Sequence, residues 1–79
     1  MLHISEYVGI IVSVPRTHRT RALANPAQPR GALLRELERY IEAHNPGVTG
    51  VSVVGATDTG QPDRSRRPIR HWYHVEYEA

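Results

Sequence analysis

The 79-residue chain contains no cysteine, no phenylalanine and no lysine, so all ten of its basic residues are arginine. Without cysteine it can form neither a disulfide framework nor a thiolate metal site. Without lysine it cannot carry the glycine-rich phosphate loop of nucleotide hydrolases. It also lacks an apolar run of membrane-spanning length, and its first residues lack the pattern of a signal peptide. We therefore expect a cytoplasmic protein that has no membrane partner.

The clearest positive signal is a helical period over residues 30–44. Pro29 suits the first turn of a helix, and Asn45-Pro46-Gly47 ends it, because proline cannot continue a helix and glycine turns the chain. A helix of about 14 residues is marginal alone in water, so its apolar face needs a sheet to pack on. That face carries side chains spaced by three and four: Leu33, Leu34, Leu37, Tyr40, Ile41 and His44.

Three segments have the alternation or the apolar content of strands: residues 7–14, 48–54 and 69–78. In the last segment Tyr73, Val75 and Tyr77 point to one face, and Arg70 and Trp72 point to the other. The predicted order is β-α-β-β in one domain, residues 1–79. A strand, a helix and a strand in series normally form a right-handed parallel crossover. The predicted class is α+β, with a three-stranded mixed sheet and one amphipathic helix on one face.

Two long basic links, residues 15–29 and 56–68, are predicted as loops, and the second could also be a flexible hairpin tip. Threonine and arginine alternate at the start of the first link, so the first strand could also continue past Pro15. If the first two strands are parallel, both links leave the same end of the sheet. That end would hold eight arginines against two aspartates, a net charge of +6, and the rest of the chain would hold two arginines against six glutamates.

Arginine suits bidentate recognition of phosphate or carboxylate, and a basic end is a plausible footprint for either partner. A strand face with arginine, tryptophan and histidine could also stack on nucleobases. The alternative for Trp72 is a dimer interface, where tryptophan is enriched. The predicted partner-binding residues are Arg16, Arg19, Arg21, Arg64, Arg66, Arg67, Arg70 and Trp72.

No motif predicts catalysis, so we expect no enzyme activity, no metal and no cofactor. Asp58-Thr59-Gly60 resembles the short motif of aspartic proteases, but its flanking residues differ from that family, and we interpret it as a turn. His71 and His74 point to opposite faces of a strand, which excludes a shared metal ion.

The short chain, the single α+β domain and the lopsided charge resemble small phage-encoded inhibitors of the anti-CRISPR type. The resemblance implies a non-enzymatic inhibitor that occupies a surface of a nucleic-acid-handling complex, with a protein or nucleoprotein as partner. A direct nucleic-acid-binding protein is an alternative. The β-α-β-β order also resembles dodecin-like flavin binders, in which Trp72 would stack on the ligand. A three-stranded sheet has open edges, so we expect a homodimer.

Overall fold

The structure is a computed structural model that describes residues 16–79. These residues form strand β1 (Thr17–Ala24), helix α1 (Arg30–His44), strand β2 (Ser52–Asp63) and strand β3 (Arg70–Glu78). The predicted α+β class, with one helix on a three-stranded sheet, is confirmed, and the helix has the predicted bounds. The strand predicted at residues 7–14 lies outside the described residues.

The strand order is β1-β3-β2, and both pairings are antiparallel. The described sheet is therefore antiparallel and not mixed as predicted. The physical reason is that β3 lies between the other two strands and runs against both. β1 and β2 still point in the same direction, but β3 separates them, so no parallel ladder forms between them.

The prediction of a loop at residues 15–29 is wrong for Thr17–Ala24, which forms β1. Its inward face carries Thr20, Ala22 and Ala24, and such small residues give a weak hydrophobic signal. Both alanines are fully buried. α1 packs against β1 there, and alanine leaves room for the helix to come close. The alternative, a strand past Pro15 indicated by the alternation of threonine and arginine, is the one that the structure has at Thr17–Ala24.

The second predicted loop, residues 56–68, is also mostly strand, because β2 extends to Asp63. Asp58 pairs with Tyr73 and Pro62 pairs with His71, so the three residues of β2 between these pairs lie opposite a single residue of β3, Trp72. This bulge accommodates Gly60, whose φ is 74°, and proline, which cannot donate to a ladder. Asp58-Thr59-Gly60, interpreted above as a turn, therefore lies within β2, where the Gly60 N–H donates to the Asp58 side chain at 2.7 Å.

The core lies between α1 and the inward face of the sheet. Leu37, Ile41 and Val75 are its largest fully buried side chains. The predicted alternation along β3 is confirmed by the burial of Tyr73, Val75 and Tyr77. Two helix carboxylates also contact the β2 strand edge: the Val53 N–H donates to Glu38 (3.0 Å), and the Val51 N–H donates to Glu42 (3.1 Å).

Candidate functional site

The predicted basic end does not exist as one surface, because the arginines lie at opposite ends of the sheet. Arg19 pairs in register with Glu76 near the end of β3, whereas Arg70 begins β3 and pairs with Asp63. Arg70 and Glu76 are six residues apart on β3, roughly 20 Å at about 3.4 Å per residue. The cause is that Arg19 and Arg21 belong to β1, directly after Arg16, and not to a link that follows a strand; the start of β1 lies beside the end of β3. Arg16 lies at the first end, and the loop arginines Arg64, Arg66 and Arg67 lie at the second.

Arg19 forms an exposed ion pair. Its Nε lies 3.6 Å from the Glu76 carboxylate, and 85% of its side chain is exposed. An ion pair this exposed contributes about 0–1 kcal/mol to stability, but it partly neutralises the arginine as an anion contact.

Arg21 has a defined position in the middle of the sheet. Its guanidinium carbon lies 4.8 Å from the centre of the Trp72 ring, and its Nη2 donates to the Gln61 side-chain oxygen at 2.7 Å. The three residues come from β1, β3 and β2, so the arginine side chain spans the sheet. A cation over an indole ring is attracted by the ring quadrupole.

Three rings follow one another from the sheet to the end of α1. The Tyr40 ring meets Trp72 edge-on at 6.1 Å and stacks with His44 at 3.9 Å. The Tyr40 carbonyl also lies 2.9 Å from His44 Nδ1, which donates to it. Trp72 and Tyr40 are half-buried, whereas His44 is exposed. We call Trp72, Tyr40 and His44 the aromatic row.

The aromatic row leads into a groove of about 510 Å³ between α1 and the loop that joins β2 to β3. Tyr40 and His44 line its helix side, together with Arg39. Arg66 from the loop and Arg70 from β3 line the opposite side. The groove therefore combines aromatic rings with guanidinium groups.

The positive charge of Arg70 is largely balanced by an ion pair with Glu36. Its Nε donates to Glu36 at 2.7 Å, and the same carboxylate accepts the Asn25 N–H at 3.0 Å. Burial acts to raise the pKa of Glu36, but the hydrogen bonds from Asn25, Arg70 and Gln28 outweigh it and hold the pKa below its usual value. Glu36 is therefore ionised at neutral pH and balances Arg70.

Arg39 and Arg66 form no ion pair with any carboxylate among residues 16–79. The other carboxylate at the groove is Asp63, which accepts the Ser65 N–H at 2.9 Å. Hydrogen bonds from the Ser65 side chain and backbone lower the pKa of Asp63, so it too is ionised. Arg39 and Arg66 thus line the groove beside the aromatic row without an ion pair among the described residues, and the charge of Arg66 also helps to lower the pKa of Asp63.

Asp58, in the bulge of β2, forms a polar contact with His71 of β3. His71 Nδ1 lies 3.0 Å from both carboxylate oxygens. The Gly60 N–H and His71 lower the pKa of Asp58. The described residues gather no set of three or more histidine or acidic side chains that could hold a metal ion.

Of the predicted site residues, Arg21, Arg66, Arg70 and Trp72 lie at the aromatic row or the groove; the other four do not. Sequence reasoning missed Arg39, and it assigned Tyr40 and His44 to the core face of the helix. The available signal was their spacing of four residues, which places two flat rings side by side on a helix.

Neither a family model, nor a curated protein, nor a solved structure matches the chain. Within residues 16–79, α1 falls short of the length and apolar content that a membrane-crossing helix needs.

Proposed function

We propose that this protein is a non-enzymatic binding protein for single-stranded nucleic acid, and that the aromatic row is its contact surface. One observation carries the proposal: three rings touch in sequence, with Arg21 over the first and Arg39 and Arg66 beside the last. Proteins that bind single strands combine stacking platforms with basic groups that follow the backbone.

The magnitudes favour single strands over a duplex. Stacking of a base on an aromatic side chain is worth about 1–3 kcal/mol, whereas an exposed ion pair is worth about 0–1 kcal/mol. Rings can stack only on bases that are unpaired and accessible. Three arginines alone would give weak binding that depends strongly on salt.

The inhibitor of the anti-CRISPR type stays a prediction, as do the homodimer, the cytoplasmic location and the dodecin-like ligand binder. An inhibitor would use the same exposed arginines on a nucleoprotein surface. It differs from the present proposal in one measurable respect, since it requires no affinity for naked nucleic acid.

Fluorescence anisotropy of short labelled strands tests the proposal, with DNA and RNA each in single- and double-stranded form. We expect single strands to bind more tightly than duplexes at low salt. Arg21→Gln should weaken binding about tenfold, because it removes a charged hydrogen-bond donor. Arg35→Gln is the matched control: it removes an equally exposed arginine from α1, away from the groove, and should change affinity by less than about twofold.

Absence of binding at low salt would overturn the proposal, as would equal losses in the two variants. Capture of a host nucleoprotein complex by a protein that binds no naked strand would then support the inhibitor.

A further inference from the structure

The groove has the size and the lining of a small-molecule site. Its volume of about 510 Å³ lies within the range of roughly 300–1,000 Å³ that is typical of ligand pockets. Leu23 and Ala43 add apolar surface to the rings and the arginines. A ligand that fits must offer both a flat apolar group and an anion.

The flat group of such a ligand could stack on the ring of His44. One face of its imidazole is stacked on Tyr40 with an angle of 19° between the ring planes, and its Nδ1 is held by the Tyr40 carbonyl. The stack is therefore ordered before a ligand arrives, which lowers the entropy cost of binding. A nucleobase placed against exposed His44 would extend this stack by one ring.

The anion would meet opposite charge, because arginines line the groove. The groove is lined by three arginines, Arg39, Arg66 and Arg70, and by two carboxylates, Glu36 and Asp63. Its net charge is therefore +1. Arg70 is already engaged by Glu36, so the two guanidinium groups that remain for an anion are Arg39 and Arg66. A single phosphodiester carries one negative charge, whereas a triphosphate would bring excess charge close to Asp63.

We infer that this groove binds one nucleotide unit of a single strand, with the base stacked on His44 and the phosphate held by Arg39 and Arg66. The inference rests on the proposed function and assigns part of its contact surface to a defined subsite. Arg39 lies on α1, and Arg66 lies on the loop between β2 and β3. The subsite therefore forms only when the helix and this loop are both folded.

Nuclear magnetic resonance titration with adenosine monophosphate tests the subsite without a long strand. We expect the ring resonances of His44 and Tyr40 to shift. Ribose 5-phosphate, which has no base, should shift them much less. Arg39→Gln and Arg66→Gln should each weaken monophosphate binding about tenfold, because each removes a charged hydrogen bond. Arg35→Gln, one helical turn before Arg39, should leave it within about twofold.

Two results would overturn the inference: ring resonances that do not respond to the monophosphate, or equal weakening by Arg39→Gln and Arg35→Gln. Circular dichroism of each variant separates loss of binding from loss of folding. If single strands bind in a manner sensitive to Arg21→Gln but not to His44→Ala or Arg66→Gln, the subsite fails, and single-strand binding stands with a contact surface limited to Arg21 and Trp72. If the monophosphate binds and single strands do not, the proposed function fails and the groove is a nucleotide site only.

Discussion

Glu36 is the residue at which three parts of the fold meet. Its carboxylate accepts the Asn25 N–H after β1 and the Gln28 side chain, and it pairs with Arg70 of β3. A hydrogen bond to a charged group contributes roughly 1.5–3 kcal/mol. Glu36 therefore joins the exit of β1 and the start of β3 to the helix, and it fixes one wall of the groove.

We expect Glu36→Gln to lower the free energy of unfolding at pH 7 by roughly 1.5–3 kcal/mol, because glutamine cannot pair with Arg70 as a charge. The folded pKa of Glu36 is depressed below 4.5. Its contribution is therefore present above about pH 4.5 and is lost as the pH falls through the folded pKa. Urea titrations at pH 7 and pH 3 should show that the difference between wild type and variant shrinks in acid.

Glu76→Gln is the matched control, since it also removes a glutamate from an arginine pair. That pair is exposed, so the change should cost less than about 0.5 kcal/mol at pH 7. A difference between wild type and Glu36→Gln that is the same at both pH values would show that the charge of Glu36 does not contribute to stability.

At the scale of single elements, the bulge of β2 depends on one glycine. Gly60 has a φ of 74°, a region that side chains with a Cβ disfavour by about 1–2 kcal/mol. We expect Gly60→Ala to reduce stability by that amount. Gly55→Ala is the control: its φ is not positive, and its new Cβ would meet Glu76 at an ordinary 3.7 Å. Equal midpoints of thermal unfolding for the two variants would contradict this account.

The contact between α1 and β1 depends on small side chains. Ala22 is fully buried beneath the helix, so Ala22→Leu should overpack the interface and cost about 1–3 kcal/mol. Ala27→Leu makes the same chemical change at an exposed position, and we expect it to be within about 0.5 kcal/mol of wild type. Denaturant titration of both proteins measures the difference, and a neutral Ala22→Leu would mean that the interface is loosely packed.

The helix could be predicted in full, because its period, Pro29 and the Asn45-Pro46-Gly47 stop all agree. β1 could be predicted only as an alternative to a loop, and the second half of β2 could not be predicted. The inward face of β1 carries only threonine and alanine, so its hydrophobic alternation is weak. Residues 58–62 combine Asp, Gly and Pro, which normally indicate a loop. Pairing with the strongly alternating β3 overrides these local preferences. The aromatic row could not be predicted either, because the contact between Tyr40 and Trp72 depends on tertiary packing.

At the scale of the whole molecule, the charge is divided between the two ends of the sheet, not gathered at one end. The number of arginines that can reach one strand of nucleic acid is therefore small. If Arg21, Arg39 and Arg66 contact phosphate, the logarithm of affinity should fall with the logarithm of salt with a slope of about −2, at about −0.7 for each phosphate.

Engagement of all eight arginines of the predicted basic end would give a slope near −5.6 by the same relation. Anisotropy titrations at four or more salt concentrations separate the two cases. A steep slope would mean that the strand wraps around both ends of the sheet, and it would contradict a contact surface confined to the aromatic row and the groove.

The carboxylates of Glu38 and Glu42 have a consequence for how sheets of different molecules could join. An exposed strand edge is a template for β-aggregation, because its unpaired N–H and C=O groups can form hydrogen bonds with another strand. At Val51 and Val53 these donors are already occupied by the helix, so an incoming strand would have to displace two charged acceptors. Growth of the sheet from the β2 side is therefore blocked at its first residues.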